Sequence, residues 1–367
     1  MKIVYTGGGT SGHFYPLMAV SERVKRLAYK EKLIDPKEYY FASKNLDDKM
    51  LNSRNVTYAY VPSGKRRLYF SLLNYIDIFK VGFGTVIAFF KLLVIYPDII
   101  FSKGGYDSVP TCLAASILRI PIILHDSDSI PGRASLLISR FASRVAVSYP
   151  ESIVYYPNQN KVAYVGQPIL DKYTPEENFN RIAKESSRKN ILIIGGSSGS
   201  VKINDAVLSV LPELMSRYNV IHQTGADNYA DVKLRTQVIL ESYSIEAYAV
   251  YPSLDLSKIY REVDLAITRA GSTLFELASW QIPSIVIPID ESVSRDQMRN
   301  ADSFFRRGTV KVLNENNMTP NILLNTIINI FEKENYKKML DSCKNMGIQN
   351  GAEKIAKEII SICYTHR

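Results

Sequence analysis

With 367 residues the chain has room for two domains of the usual size, about 100–200 residues each. A formal charge of +9 and a pI of about 9.2 suit an anionic partner, yet no nucleic-acid motif accompanies the cations. An anionic lipid surface or a phosphorylated substrate explains the charge as well. The three cysteines, Cys112, Cys343 and Cys363, lack metal or redox spacing and fit a reducing cytosol.

The chain opens on Ile3-Val4-Tyr5, a strand pattern rather than a signal peptide, followed by Thr6-Gly7-Gly8-Gly9-Thr10-Ser11-Gly12-His13. Pro16 to Val20 then reads as the start of a helix with proline in its first turn. Strand, glycine turn and helix form an arrangement that cradles phosphate. Glycines let backbone approach an anion, and the helix start offers unpaired N–H groups. Further strands are expected at Tyr39–Ala42, Tyr58–Val61, Asp98–Phe101 and Pro121–Leu124. Between them, Lys65, Arg66 and Arg67 lead into Tyr69, Phe70, Leu72 and Leu73 and a glycine-containing apolar helix running to about Tyr96. Cations beside exposed apolar residues are what an interfacial membrane contact needs. The most apolar window, Val81 to Tyr96, is interrupted by Gly82, Gly84 and Lys91. It reads as shorter than the ~20 residues that span a bilayer, so no transmembrane helix is expected. The loops Lys103-Gly104-Gly105-Tyr106 and His125–Ser129 follow strands and belong, with Gly7–His13, to the carboxyl edge of a parallel sheet, where ligands bind.

After a strand at Val162–Val165 come Gly166-Gln167-Pro168 and a polar segment to Asn190. Ile191–Ile194 then enters a second glycine turn, Gly195-Gly196-Ser197-Ser198-Gly199-Ser200, and a helical pattern from Val201. The strand Leu265–Thr268 runs into Arg269-Ala270-Gly271-Ser272-Thr273 and a helix carrying Glu276. A later loop leads to Gln297 and Asn300. Two strand–glycine–helix starts predict an α/β protein of two similar domains facing each other across a cleft. The expected boundaries are 1–165, a linker over 166–190, 191–345, and a C-terminal helix over 346–367 that could return to the first domain.

Gly7-x-Gly9-x-x-Gly12 satisfies the dinucleotide fingerprint literally, but the second strand ends Phe41-Ala42-Ser43-Lys44 without the ribose-binding acid. No glycine turn continues as the Gly-Lys-Ser/Thr of a P-loop. His13 at the end of a glycine loop, and a Gly-Ser-Thr turn with Glu276 one turn into its helix, fit sugar transfer from a nucleotide diphosphate instead. N–H groups would stabilise the departing diphosphate, the glutamate would chelate a ribose diol, and the histidine would deprotonate an acceptor hydroxyl.

These motifs, with Val165-Gly-Gln-Pro168 and Asn300-Ala301, resemble over nearly the whole chain the MurG family. Its members are inverting N-acetylglucosaminyltransferases of peptidoglycan synthesis with the two-domain GT-B architecture. The resemblance implies transfer from UDP-N-acetylglucosamine to a lipid-diphospho-muramoylpeptide at the inner face of the membrane, as a peripheral protein, without metal or cofactor and without nucleic acid. His13 would be the general base. Gly8, Gly9, Thr10, Ser11, Gly12, Lys103, Gly104, Gly105, Tyr106, His125 and Asp128 would meet the acceptor. Gly196, Ser197, Arg269, Gly271, Ser272, Thr273, Glu276, Gln297 and Asn300 would meet the donor, with Glu276 on the ribose. The stretch Lys65 to Phe90 matches where the family docks on lipid.

The sequence departs from the family's pattern in three places. Ser198 replaces a glutamine, His125-Asp126-Ser127-Asp128 replaces His-Glu-Gln-Asn, and the Arg269-Ala-Gly segment is one residue shorter before its glutamate. Asp126-x-Asp128 also spells a diphosphate–Mg²⁺ motif of other transferases. A transferase making another glycolipid, or a UDP-sugar epimerase on the same scaffold, is the alternative; an epimerase has no need of the Lys65–Phe90 segment.

Overall fold

The structure, a computed structural model, describes residues 1–64, 73–176, 179–181, 188–196, 199–243, 247–290 and 295–365. Lys65, Arg66, Arg67, Tyr69, Phe70, Leu72, Ser197 and Ser198 lie outside the described residues, and of Ser11 and Leu73 only the backbone is described. The chain forms two units: Met1–Asp171 with Gln349–Arg367, and Lys172–Ile348.

The first unit runs β1 (Lys2–Thr6), α1 (Ser11–Lys30), β2 (Lys37–Ala42), α2 (Asp48–Ser53), β3 (Val56–Tyr60), α3 (Leu73–Ile95), β4 (Ile99–Ser102), α4 (Val109–Ile117), β5 (Ile122–Asp126), α5 (Arg133–Ser139), β6 (Arg144–Val147) and β7 (Val162–Tyr164). All strands are parallel, in the order β3-β2-β1-β4-β5-β6-β7. The central strands read as unbroken apolar runs because helices cover both faces; Ile3, Val4 and Tyr5 of β1 and Ile99 to Phe101 of β4 are fully buried. The order reverses between β1 and β4, so the loops that leave them diverge and open a crevice at their carboxyl ends.

The second unit runs β8 (Asn190–Ile194), α6 (Val201–Ser209), α7 (Leu211–Arg217), β9 (Asn219–Gln223), α8 (Tyr229–Tyr243), β10 (Tyr248–Tyr251), β11 (Leu265–Thr268), α9 (Thr273–Ser279), β12 (Ser284–Val286), α10 (Arg295–Arg306), β13 (Val310–Val312), α11 (Pro320–Phe331) and α12 (Lys333–Asn345). Its parallel order is β10-β9-β8-β11-β12-β13, with the reversal between β8 and β11. The last helix, α13 (Gly351–Thr365), packs on α1 of the first unit. Asn350 fixes its start. The Asn350 side chain accepts from Ile169 N at 3.1 Å and donates to Ile169 O at 2.8 Å.

Two expectations change. Helix α1 begins at Ser11, so His13 lies in its first turn rather than in the loop, and Pro16 sits inside the helix. Helix α3 is 23 residues long, and its Asp77–Ile95 portion, with mean hydropathy 2.1, is long and apolar enough to cross a membrane by length and composition. Its glycines do not interrupt it. Gly84 lets the helix approach the Pro62 carbonyl, which a Cβ there would meet at 1.9 Å. One face of α3 packs into the first unit through Ala88 and Leu92, and Lys91 Nζ donates to Tyr60 O at 2.9 Å. The opposite face shows Phe79, Phe83, Val86, Phe90 and Val94, all more than half exposed. Spacings of three and four residues gather these side chains on one stripe.

Within the segment expected as a linker, residues 166–170 belong to the first unit, while Phe179 to Arg181 are embedded in the second. Arg181 is 5% exposed and donates to three main-chain carbonyls: Trp280 O at 2.8 Å, Val263 O at 2.6 Å and Tyr260 O at 2.7 Å. A charged donor inside a core stabilises only while every N–H has a partner, and here each bond also satisfies a carbonyl cut off from water. Arg181→Ala removes the donors and strands the carbonyls. The expected cost is about 3–5 kcal/mol in equilibrium denaturation; a loss below about 1 kcal/mol would contradict the clamp.

Candidate active site

In the first unit the reversal brings together the loops after β1 and β4. The Thr10 Oγ1 and His13 Nδ1 atoms are 3.1 Å apart, and a Cβ on Gly105 would stand 3.4 Å from His13 Cε1. Burial first, and the Lys103 charge second, push the His13 pKa down to about 4. The imidazole is therefore neutral near pH 7 and keeps a lone pair for a proton. Lys103 is 2% exposed, its N–H donates to Thr6 O at 2.8 Å, and its Nζ donates to Ser127 Oγ. Burial lowers its pKa to about 8, against the pull of Asp126 and Asp128.

His125 is the penultimate residue of β5 and is fully buried. Its Nε2–H donates to Gly166 O at 3.0 Å, with Ser148 Oγ 3.3 Å away, and burial holds its pKa well below the ordinary value. The ring lies beneath the loop, in a network where Ser127 Oγ and Ser148 Oγ both donate to Gln167 Oε1, at 2.9 and 2.8 Å. Asp128 N donates to Asp126 Oδ1 at 3.0 Å, and Tyr156 OH donates to Asp126 Oδ2 at 3.2 Å. Among the described residues no group of three or more His, Cys, Asp or Glu could hold a metal. Asp107, which the motifs pass over, accepts Ser43 N at 3.2 Å and the Ser63 hydroxyl. A carboxylate thus does stand at the end of β2, but it is fully buried and engaged by the main chain.

In the second unit the loops after β8 and β11 flank the reversal. Ser200 caps α6 by accepting Ile203 N at 3.4 Å and also accepts Arg269 Nη2 at 2.6 Å. Arg269 Nη1 donates to Ile287 O at 2.9 Å, and the guanidinium pairs with Glu315, whose other oxygen meets Lys202 Nζ at 3.3 Å. Arg269 therefore ties the two loops together. Gly271 has open space beside it, and Ser272 precedes the first residue of α9. Asn300 is buried and its Nδ2 donates to Ala270 O at 3.3 Å, while Gln297 Oε1 accepts Ile289 N at 3.0 Å. Glu276 Oε2 accepts the Tyr260 hydroxyl at 2.6 Å. Burial raises the Glu276 pKa to about 7 against that hydrogen bond and the Lys172 charge. His222 is structural: its Nε2–H donates to Asn204 Oδ1 at 3.0 Å and its Nδ1 lies 2.8 Å from Tyr248 OH.

Residues 3–147 match the glycosyltransferase family 28 N-terminal domain and residues 190–359 its C-terminal domain. A Clostridium perfringens protein, a UDP-N-acetylglucosamine–N-acetylmuramyl-(pentapeptide) pyrophosphoryl-undecaprenol N-acetylglucosamine transferase, is 37% identical over 360 residues, 96% of each chain. The chain belongs to the MurG family of glycosyltransferases. The crystal structure of Acinetobacter baumannii MurG has the same fold, with a TM-score of 0.73 over 98% of this chain and 99% of that one at 22% identity. So does a Neisseria meningitidis UDP-GlcNAc 2-epimerase bound to UDP-GlcNAc, with a TM-score of 0.66 over all of both chains at 14% identity. The GT-B fold of the family is thus shared by enzymes of different chemistry, and the family assignment rests on sequence identity.

Against this family background, the first unit gathers the Gly8–Gly12 turn, His13, Lys103, Gly104, Gly105 and Tyr106 at one edge. The second gathers Gly196, Gly271, Ser272, Thr273 and Glu276 at the corresponding edge. Sequence reasoning missed Ser148, Tyr260 and Glu315, which carry no glycine or motif and reach the site only through the fold, and it gave Ser127 no role beyond its place in the His125–Ser129 loop. Gly9 shows how tight the first edge is. Its φ is 92°, and a Cβ there would lie 2.6 Å from Tyr106 OH. Gly9→Ala is expected to lower the melting temperature by several degrees, and Tyr106→Phe in that background to return part of the loss. Equal melting of the single and double variants would show that the hydroxyl contact does not set the turn.

Proposed function

We propose that the chain transfers N-acetylglucosamine, with inversion, from UDP-N-acetylglucosamine to the muramoyl 4-hydroxyl of undecaprenyl-diphospho-N-acetylmuramoyl-pentapeptide, converting lipid I to lipid II. The observation that carries this reading is the 37% identity over 96% of the chain to a transferase named for that reaction. The acceptor hydroxyl attacks the anomeric carbon, the bond to the β-phosphate oxygen breaks, UDP leaves, and the hydroxyl proton passes to His13. The neutral ring supports that role, since it can accept the proton at pH 7. Amides of the turn before α6, together with those of Gly271 to Thr273, would take the charge that develops on the diphosphate. Arg269 would act by holding the two loops in register, because its N–H groups already bond Ile287, Ser200 and Glu315. Glu276 would chelate the ribose hydroxyls, and Gln297 and Asn300 would face the sugar. Lys103 would supply positive charge beneath the acceptor diphosphate, in a site that needs no metal.

The enzyme would work as a peripheral protein on the cytoplasmic face of the membrane, with the apolar stripe of α3 lying in the interface. Phe79, Phe83, Phe90 and Val94 are exposed there, while Ala88 and Leu92 anchor the helix to its own unit. A helix held along one face by its domain lies on a membrane more readily than it crosses one. This stripe favours a lipid-linked acceptor over the soluble chemistry of an epimerase.

Transfer of labelled N-acetylglucosamine from its UDP donor to a synthetic lipid-diphospho-muramoylpeptide tests the reaction. His13→Ala should lower kcat about 100- to 10,000-fold with UDP affinity retained. A parent enzyme that binds the donor but transfers nothing to this acceptor would overturn the reading. Separately, Phe83→Asp with Phe90→Asp should weaken binding to anionic phospholipid vesicles by at least about tenfold. Unchanged sedimentation with vesicles would remove α3 from the interface.

A further inference from the structure

Tyr260 stands behind the carboxylate that the preceding reading gives to the donor ribose. Its ring is fully buried in the second unit, in a core cluster with Trp280, Val263 and Ile282. The ring lies 6.2 Å from Trp280 and edge-on to Tyr173 at 6.4 Å. Its carbonyl accepts from Arg181 at 2.7 Å, and its hydroxyl donates to Glu276 Oε2 at 2.6 Å. Main chain, ring and hydroxyl are all held, so the direction of that O–H is fixed by packing rather than chosen on ligand binding.

We infer that Tyr260 is a positioning residue for donor recognition: its hydroxyl anchors one oxygen of Glu276 and leaves Oε1 to receive the ribose diol. This rests on the ribose role proposed above for Glu276. A diol needs an ionised carboxylate as acceptor, because a protonated one has lost an acceptor site and presents a donor to two hydroxyls. Burial favours the protonated form and moves the pKa up to about 7; the tyrosine bond is the first opposing influence and Lys172 the second. Among the described residues, Tyr260 and Lys172 are the titratable groups that bear on the Glu276 charge. The lysine is shared with Asp255 at 3.5 Å and lies 4.4 Å from the Tyr173 ring centre. The phenol itself stays protonated, since burial and the adjacent carboxylate raise its pKa well above the ordinary value.

The sign follows. Removing the hydroxyl withdraws a bond to the charged form, so the carboxylate titrates at higher pH and donor recognition fails earlier on acidification. The test is kcat/KM for UDP-N-acetylglucosamine and for its 2′-deoxyribose analogue between about pH 6 and 9, a range that brackets this titration. It uses the parent enzyme, Tyr260→Phe, Glu276→Gln and the double variant. Tyr260→Phe is expected to move the acid limb up by about one pH unit, through KM rather than kcat. Preference for ribose over 2′-deoxyribose should fall at neutral pH and recover in alkali. In the Glu276→Gln background the same tyrosine change should move nothing. A loss spread evenly over all pH values, or an identical shift in that background, would reduce Tyr260 to a packing residue and leave the Glu276 reading intact. If Glu276→Gln keeps full ribose preference, the ribose assignment itself falls, and the role of Tyr260 with it.

Discussion

Everything at the functional edges depends on one constraint: where the order of a parallel sheet reverses, two neighbouring strands send their chains in opposite directions. The loops that leave β1 and β4, and those that leave β8 and β11, then part and open a crevice beyond the strand ends. Glycine turns keep that space open, since a Cβ at several of these positions would overlap a neighbouring loop. The two crevices are alike in backbone and differ in the side chains beneath them. One rests on a buried lysine and its serine–glutamine network, the other on a glutamate held by a tyrosine.

The charge states show how burial prepares the chemistry. His13 and His125 are kept neutral, the first beside a loop and the second beneath it, and Lys103 contributes to lowering both. The same lysine is itself weakened as a cation by burial. In the second unit Arg269, Glu315 and Lys202 form a chain of alternating charge across the loops. Arg269 also bonds Ile287 O and Ser200 Oγ, so its charge serves loop geometry before it serves any ligand.

The fold was legible because its punctuation is local. Glycines at positive φ, apolar runs of four or five residues and helix starts follow one another along the chain, and they placed both glycine edges correctly. What could not be read were partners distant in sequence. Tyr260 is sixteen residues from Glu276 and Glu315 forty-six from Arg269, with no periodicity linking them. Helix α3 was expected to run to about Tyr96, close to its end at Ile95, but its apolar length was underestimated because Gly82 and Gly84 look like breaks, whereas Gly84 is a close approach to Pro62. The short strands β6 and β13 begin or alternate with exposed charge, Arg144 and Lys311, and lack the apolar runs that marked the other strands.

The path of α13 bears on how the molecule is made. Its buried residues Ala352, Ile355, Ala356 and Ile359 cover part of α1, the helix that carries His13, yet they follow the whole second unit in the chain. During synthesis the second unit emerges as one continuous segment and can fold as soon as it is clear of the ribosome. The first unit waits with an apolar stripe uncovered until α13 arrives. The unit translated first is therefore completed only with the last helix of the chain, after the whole of the second unit has been translated.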